Sequence, residues 1–99
     1  MSEETFLPSF ISVHKQQTMY PIMKEFYDVE NPSKDVAQRF VKALREYLEY
    51  IDDSPYSPAP GMHDVPDHHR FLPVVIKEMQ WANKEYARIH KEYRLGPFS

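Results

Sequence analysis

His63, Asp64, Asp67, His68 and His69 are the densest set of side chains in this sequence that could hold a metal ion or move a proton. His63 and Asp67 are four residues apart, as are Asp64 and His68, so a helical turn would place each pair on one face. Two imidazoles and a carboxylate suit zinc or another divalent cation. The same imidazoles could instead respond to pH near neutrality. Against a metal centre, neither HExxH nor the Glu-x-x-His pair of di-iron bundles occurs in the chain. Asp64 or Asp67, flanking Pro66, also reads as an ordinary cap for the segment that follows. The cluster stays a secondary candidate, and the sequence calls for no cofactor.

Other chemistries have less to work with. The chain has no Cys, which excludes disulfides, thiolate catalysis and Cys-ligated zinc. With only Gly61 and Gly96, no glycine-rich phosphate loop can be written, and there is no G-x-S-x-G elbow. Glu46 with Glu49, and Asp52 with Asp53, are paired acids beside basic neighbours, the pattern of a solvated helix end. His14 and His90 sit near apolar positions and read as packing residues. The expectation is a protein without catalytic activity.

Charge narrows the partners. Twelve basic and fifteen acidic side chains give a formal net charge of -3. Residues 1–66 carry 6 basic and 11 acidic groups, and 67–99 carry 6 and 4. That balance argues against a nucleic-acid partner, which demands a strong basic footprint. No apolar run reaches the length of a membrane span or a signal peptide. The expected location is the cytoplasm, an organellar matrix being equally compatible.

Hydrophobic periodicity predicts an all-α fold within one domain over 1–99. Residues 1–17 read as an arm or a short helix starting near Ser9. Met19, Ile22, Met23, Phe26 and Tyr27 fit one face of a helix over 18–28, with Thr18 as cap and Pro21 in the first turn. A second helix over 32–52 follows Asn31 as N-cap and Pro32 at N1. Its seam is Ala37, Val41, Leu44, Leu48 and Ile51. Residues 53–66 hold four of the nine prolines and predict an extended, stiff loop. The last helix spans 67–95, kinked at Pro73 or starting there, with Leu72, Val75, Met79, Ala82, Tyr86, Ile89 and Tyr93 as its seam. Gly96 and Pro97 mark its stop. A three- to four-helix antiparallel bundle with a long Pro-rich loop between the last two helices accommodates these elements.

Both strong helices carry a second apolar stripe. On the second helix it is Val36, Phe40, Ala43, Tyr47 and Tyr50; on the last it is Val74, Trp81 and Leu95. Two readings stand side by side. The stripes widen the core where a helix meets two neighbours, or they form an exposed aromatic patch with Tyr56. Trp and Tyr dominate binding hot spots because they bury large area at low entropic cost. On the second reading Trp81, Val74, Phe40, Tyr47, Tyr50 and Tyr56 bind a partner, aided by the acids Glu46, Glu49, Asp52 and Asp53.

The order helix, capped helix, Pro-containing link, then Val75-Ile76-Lys77 and Trp81-Ala82 resembles the small acidic bundles that act as immunity proteins to nuclease bacteriocins. The resemblance covers residues 18–82 and consists of spacing. It implies a helical inhibitor. That family's Tyr-Tyr-Pro helix has no counterpart, since residues 56–62 read Tyr-Ser-Pro-Ala-Pro-Gly-Met, so its binding residues do not carry over.

The functional expectation is a non-catalytic protein-binding module, an inhibitor or accessory subunit of a larger protein or complex. The alternatives are a homodimer formed through the same stripes and a metal-binding bundle built on residues 63–69.

Overall fold

The computed structural model describes residues 7–58 and 68–95, and of His68 the backbone only. These residues form an all-α structure in which no strand occurs. Helix α1 (Ser9–His14) passes through a π-helical segment (Lys15–Met19) into α2 (Tyr20–Asp28). The three are continuous and form a rod about 30 Å long. Helices α3 (Lys34–Asp52) and α4 (His68–Glu92) follow.

The π segment answers to Pro21. Proline has no N–H to donate to residue i−4, here Gln17, and its ring crowds that carbonyl. Widening the turn over Lys15–Met19 relieves the clash, a common use of a π-bulge. Thr18, expected as a cap, lies inside this rod, and its hydroxyl donates to the His14 carbonyl at 2.7 Å. The helical start near Ser9 is observed, with Pro8 before it.

Helix α3 begins two residues later than its Asn-Pro signal suggests. Ser33 is the N-cap, extended at φ −72° and ψ 163°, and its side chain accepts from the Val36 N–H. Asp35 adds a negative charge to the first turn, where the helix dipole favours one. At the far end, the Ser54 hydroxyl donates to the Ile51 carbonyl at 2.6 Å. The Ser57 N–H donates to the Ser54 carbonyl at 3.1 Å, closing a turn with Pro55 at its second position, where proline's fixed φ fits. Residues 59–66 of the Pro-rich link, and Asp67 after it, lie outside the described residues.

Helix α4 starts at His68, so Pro73 falls inside it rather than in its first turn. It stops at a Schellman motif. Arg94 adopts a left-handed φ of 51°, the Leu95 N–H donates to the His90 carbonyl at 3.0 Å, and the Arg94 N–H donates to Lys91 at 3.2 Å. The buried Leu95 supplies the hydrophobic contact of that motif. Arg94 carries the left-handed turn; Gly96 and Pro97, the expected stop, lie outside the described residues.

Packing centres on α3. Every other helical segment packs against it, while no Cα of the rod comes within 8 Å of one in α4. The two stripes of α3 therefore have two customers. Phe40 meets Phe26 at 5.1 Å, His14 stacks near Tyr47, and Phe10 stacks on Tyr50, so the Val36–Tyr50 stripe faces the rod. Leu48 and Tyr86 line one recess between α3 and α4, which places the Ala37–Ile51 seam on the α4 side. Tyr56 meets Phe71 edge-on at 5.5 Å and pins the end of α3 to the start of α4.

Candidate docking surface

Because the rod and α4 both lean on α3 without backbone contact, long side chains must bridge the groove between them. Three bridges span it. The Lys15 ammonium pairs with the Glu78 carboxylate, both side chains being largely buried at 14% and 16% exposure. The Tyr27 hydroxyl donates to Glu85. Farther along, the Phe26 and Tyr93 rings meet at 5.9 Å.

Lys15 sits on the π segment, which turns it inward. Its ammonium lies 4.7 Å from the Trp81 ring centroid and 5.7 Å from those of Tyr20 and Tyr47, a cation–π box closed by the Glu78 carboxylate. The Tyr47 hydroxyl donates to the same carboxylate at 3.0 Å. Burial, then the neighbouring Glu78 charge, pushes the Tyr47 phenol far above its ordinary range. It stays protonated and acts as a fixed donor. Tyr27 is pushed up for the same reasons, burial first and then its bond to Glu85. Arg88 grips Glu85 through two nitrogens at 3.0 Å, and this bond pulls the Glu85 carboxyl below its usual range.

The rod also carries most of the exposed large apolar side chains among the described residues. Phe10, Val13, Tyr20, Tyr27 and Val29 of the N-terminal part are between 42% and 48% exposed. On α4, Ile76 is the one comparably exposed large apolar side chain among the described residues. Tyr20, Met23, Lys24, Tyr27 and Asp28 line a shallow recess of mostly apolar surface. Trp81 is half-buried and adjoins this patch through Lys15, which touches both Trp81 and Tyr20.

The residues expected to bind a partner are scattered by this arrangement. Phe40 and Tyr47 are fully buried and are corrected here from surface to core, because the rod supplies α3 with a second neighbour. Val74 and Trp81 are half-buried and pack against the core. Tyr50 is half-buried, stacked 3.8 Å from His14, with its hydroxyl donating to the Phe10 carbonyl. Tyr56 is half-buried against Phe71. Glu46, Glu49, Asp52 and Asp53 are exposed. Glu49 pairs with Arg45 at 3.4 Å, and Asp52 lies 3.4 Å from the Ser57 hydroxyl. Reading the α3 stripes alone missed Tyr20, Met23 and Tyr27. Their signal was the apolar excess around the N-terminal helix, which exceeds what one α3 face can cover.

Of the suspected metal ligands, His63, Asp64 and Asp67 and the side chain of His68 lie outside the described residues. His69 is exposed at the start of α4. Among the described residues no group of three or more His, Asp or Glu is placed to hold a metal ion. None of the described helices is long and apolar enough to cross a membrane.

Compared with known proteins, the chain matches no family model, no curated protein and no solved structure. The likeness to nuclease-inhibiting bundles rests on spacing alone.

Proposed function

We propose that this chain is a non-catalytic protein-binding module, an inhibitor or accessory subunit that docks on a larger protein. It acts as one antiparallel three-helix bundle, the 53–66 link joining its last two helices. The docking surface is the outer face of the rod at Tyr20, Met23 and Tyr27, with the edge of Trp81 beside it. The observation that carries this reading is the concentration of exposed aromatic side chains on one element. Tyr20 and Tyr27 leave 42% and 47% of their surface in water, and a half-exposed Tyr on a rigid helix is well suited to binding. Scattered apolar side chains need no explanation; a contiguous set does.

The test uses the tagged chain in its native host. Affinity purification with quantitative mass spectrometry is expected to recover a defined protein, and the folded Tyr20→Ala/Tyr27→Ala variant is expected to lose it. Equal recovery by both proteins removes this surface from the account. A dimer by light scattering that dissociates in the same variant transfers the surface to self-association.

A further inference from the structure

Arg70, Lys77, Lys84 and Lys91 stand seven residues apart along α4, and all four are exposed. Seven residues fall about 20° short of two full turns. The four cations therefore form a nearly straight row about 31 Å long, one charge every ~10.5 Å. The acids of α4 repeat with the same period one position further on, and all of them are engaged. Glu78 is held by Lys15 and Tyr47, Glu85 by Arg88 and Tyr27, and Glu92 by Arg88 at 3.0 Å. None of the ion pairs among the described residues includes Lys77, Lys84 or Lys91. Arg70 lies over the Phe71 ring at 5.5 Å with its charge facing water. The acids of α4 thus have partners within the fold, while Arg70, Lys77, Lys84 and Lys91 face outward, in a chain whose net charge is -3.

We propose that this row is a docking strip for an acidic helix of a protein partner, with carboxylates repeating about every seven residues. It rests on the protein-binding reading above but uses a different surface. A helix laid alongside α4 presents charges at the same ~10.5 Å interval, so every cation meets a carboxylate. Nucleic acid fits less well. Its backbone carries a charge roughly every 1.7 Å of duplex axis, and a single row of four cations, with Pro73, Gln80 and Ala87 between them, offers neither charge density nor stacking rings. The exposed acids Asp28, Glu30, Glu46, Glu49 and Asp53 would also repel so extended a polyanion.

The probes are a labelled helical peptide with Glu at every seventh position, its Gln twin, a short DNA duplex and phosphatidylserine vesicles, read by fluorescence anisotropy or co-sedimentation at low salt. The wild type is expected to bind the Glu peptide at least about tenfold more tightly than the Gln twin, the size expected of four partly screened ion pairs. Added salt should weaken that binding. K77E/K84E/K91E should lose it, and the milder K77Q/K84Q/K91Q, with unchanged helicity by circular dichroism, should weaken it, whereas K42E should not. Equal binding by the wild type and the Gln variant overturns the strip, as does tighter binding of the duplex or the vesicles than of the peptide. These lysine variants leave Tyr20 and Tyr27 intact. A failed strip with normal partner recovery therefore spares the docking surface, and loss of aromatic dependence with normal peptide binding does the reverse.

Discussion

The Lys15 ammonium meets the Glu78 carboxylate across the groove between the rod and α4, with the Trp81 ring 4.7 Å from the ammonium. Sixty-three residues separate the two in sequence. The pair ties together two elements whose backbones do not touch, and it sets the floor of the surface to which we assign docking. Removing Glu78 leaves Lys15 as a largely buried charge and deprives the Tyr47 hydroxyl of its acceptor. Glu78→Ala is therefore expected to destabilise the fold by about 1–3 kcal/mol. The double variant Lys15→Met/Glu78→Leu should recover part of that loss, because an apolar pair needs no compensation. Urea denaturation checks both; a Glu78→Ala protein as stable as wild type contradicts the bridge.

The start of α3 gives a sharper test of assignment. Ser33→Ala removes the acceptor for the Val36 N–H and should cost about 1 kcal/mol, the usual worth of an N-cap. Asn31→Ala should change stability by less than about 0.5 kcal/mol, as for an ordinary surface substitution. Thermal or urea unfolding of the two variants compares the sites directly, and the reverse ranking would restore Asn31 as the cap.

At the end of α4, Arg94 holds φ at 51°, where a side chain crowds the backbone and glycine does not. Arg94→Gly is expected to stabilise by about 0.5–1 kcal/mol, and Arg94→Val to destabilise, because a β-branched residue tolerates that region worst. If glycine there lowers the melting temperature, the Schellman description of this terminus fails.

His14 supplies the pH dependence. Its ring stacks 3.8 Å from Tyr50 and 6.2 Å from Tyr47, and burial lowers its pKa below the ordinary 6.5 despite an opposing pull from the Glu46 carboxylate. The folded state then binds this proton less readily than the unfolded state. Stability is full above pH 6.5 and declines as pH falls through the folded pKa. His14→Gln should flatten the His14 part of that decline between neutral and mildly acidic pH. The imidazole resonances, followed by NMR, should show His14 titrating below a free histidine; titration at or above 6.5 contradicts the assignment.

Much of this architecture is legible from periodicity. The Ala37–Ile51 seam and the Leu72–Tyr93 seam identify α3 and α4 without ambiguity, because apolar residues at 3-4 spacing have only one helical face to occupy. What periodicity could not decide was the owner of the second stripe on α3. Phe40 and Tyr47 are buried because the rod packs on that side, and the rod itself was obscured by the π segment. An inserted residue shifts the apolar face partway along, so Ile11, Lys15 and Met19 follow a wider spacing than a regular helix predicts. The Ser33 cap was hidden by a rival signal two residues upstream, since Asn31-Pro32 and Ser33-Lys34 satisfy the same local rules. The exposed Tyr20 and Tyr27 became visible only when the core had been assigned. The basic row of α4 was present in the sequence as a seven-residue repeat, masked by an acidic repeat one position on.

Binding is the claim on which the rest depends. Once the co-purifying protein is in hand, the most direct measurement is its dissociation constant with the wild-type chain and with the folded Tyr20→Ala/Tyr27→Ala variant, by isothermal titration calorimetry. Loss of two aromatic anchors is expected to weaken binding at least tenfold, since hot-spot residues of this type contribute roughly 2 kcal/mol or more each. An unchanged dissociation constant contradicts the account.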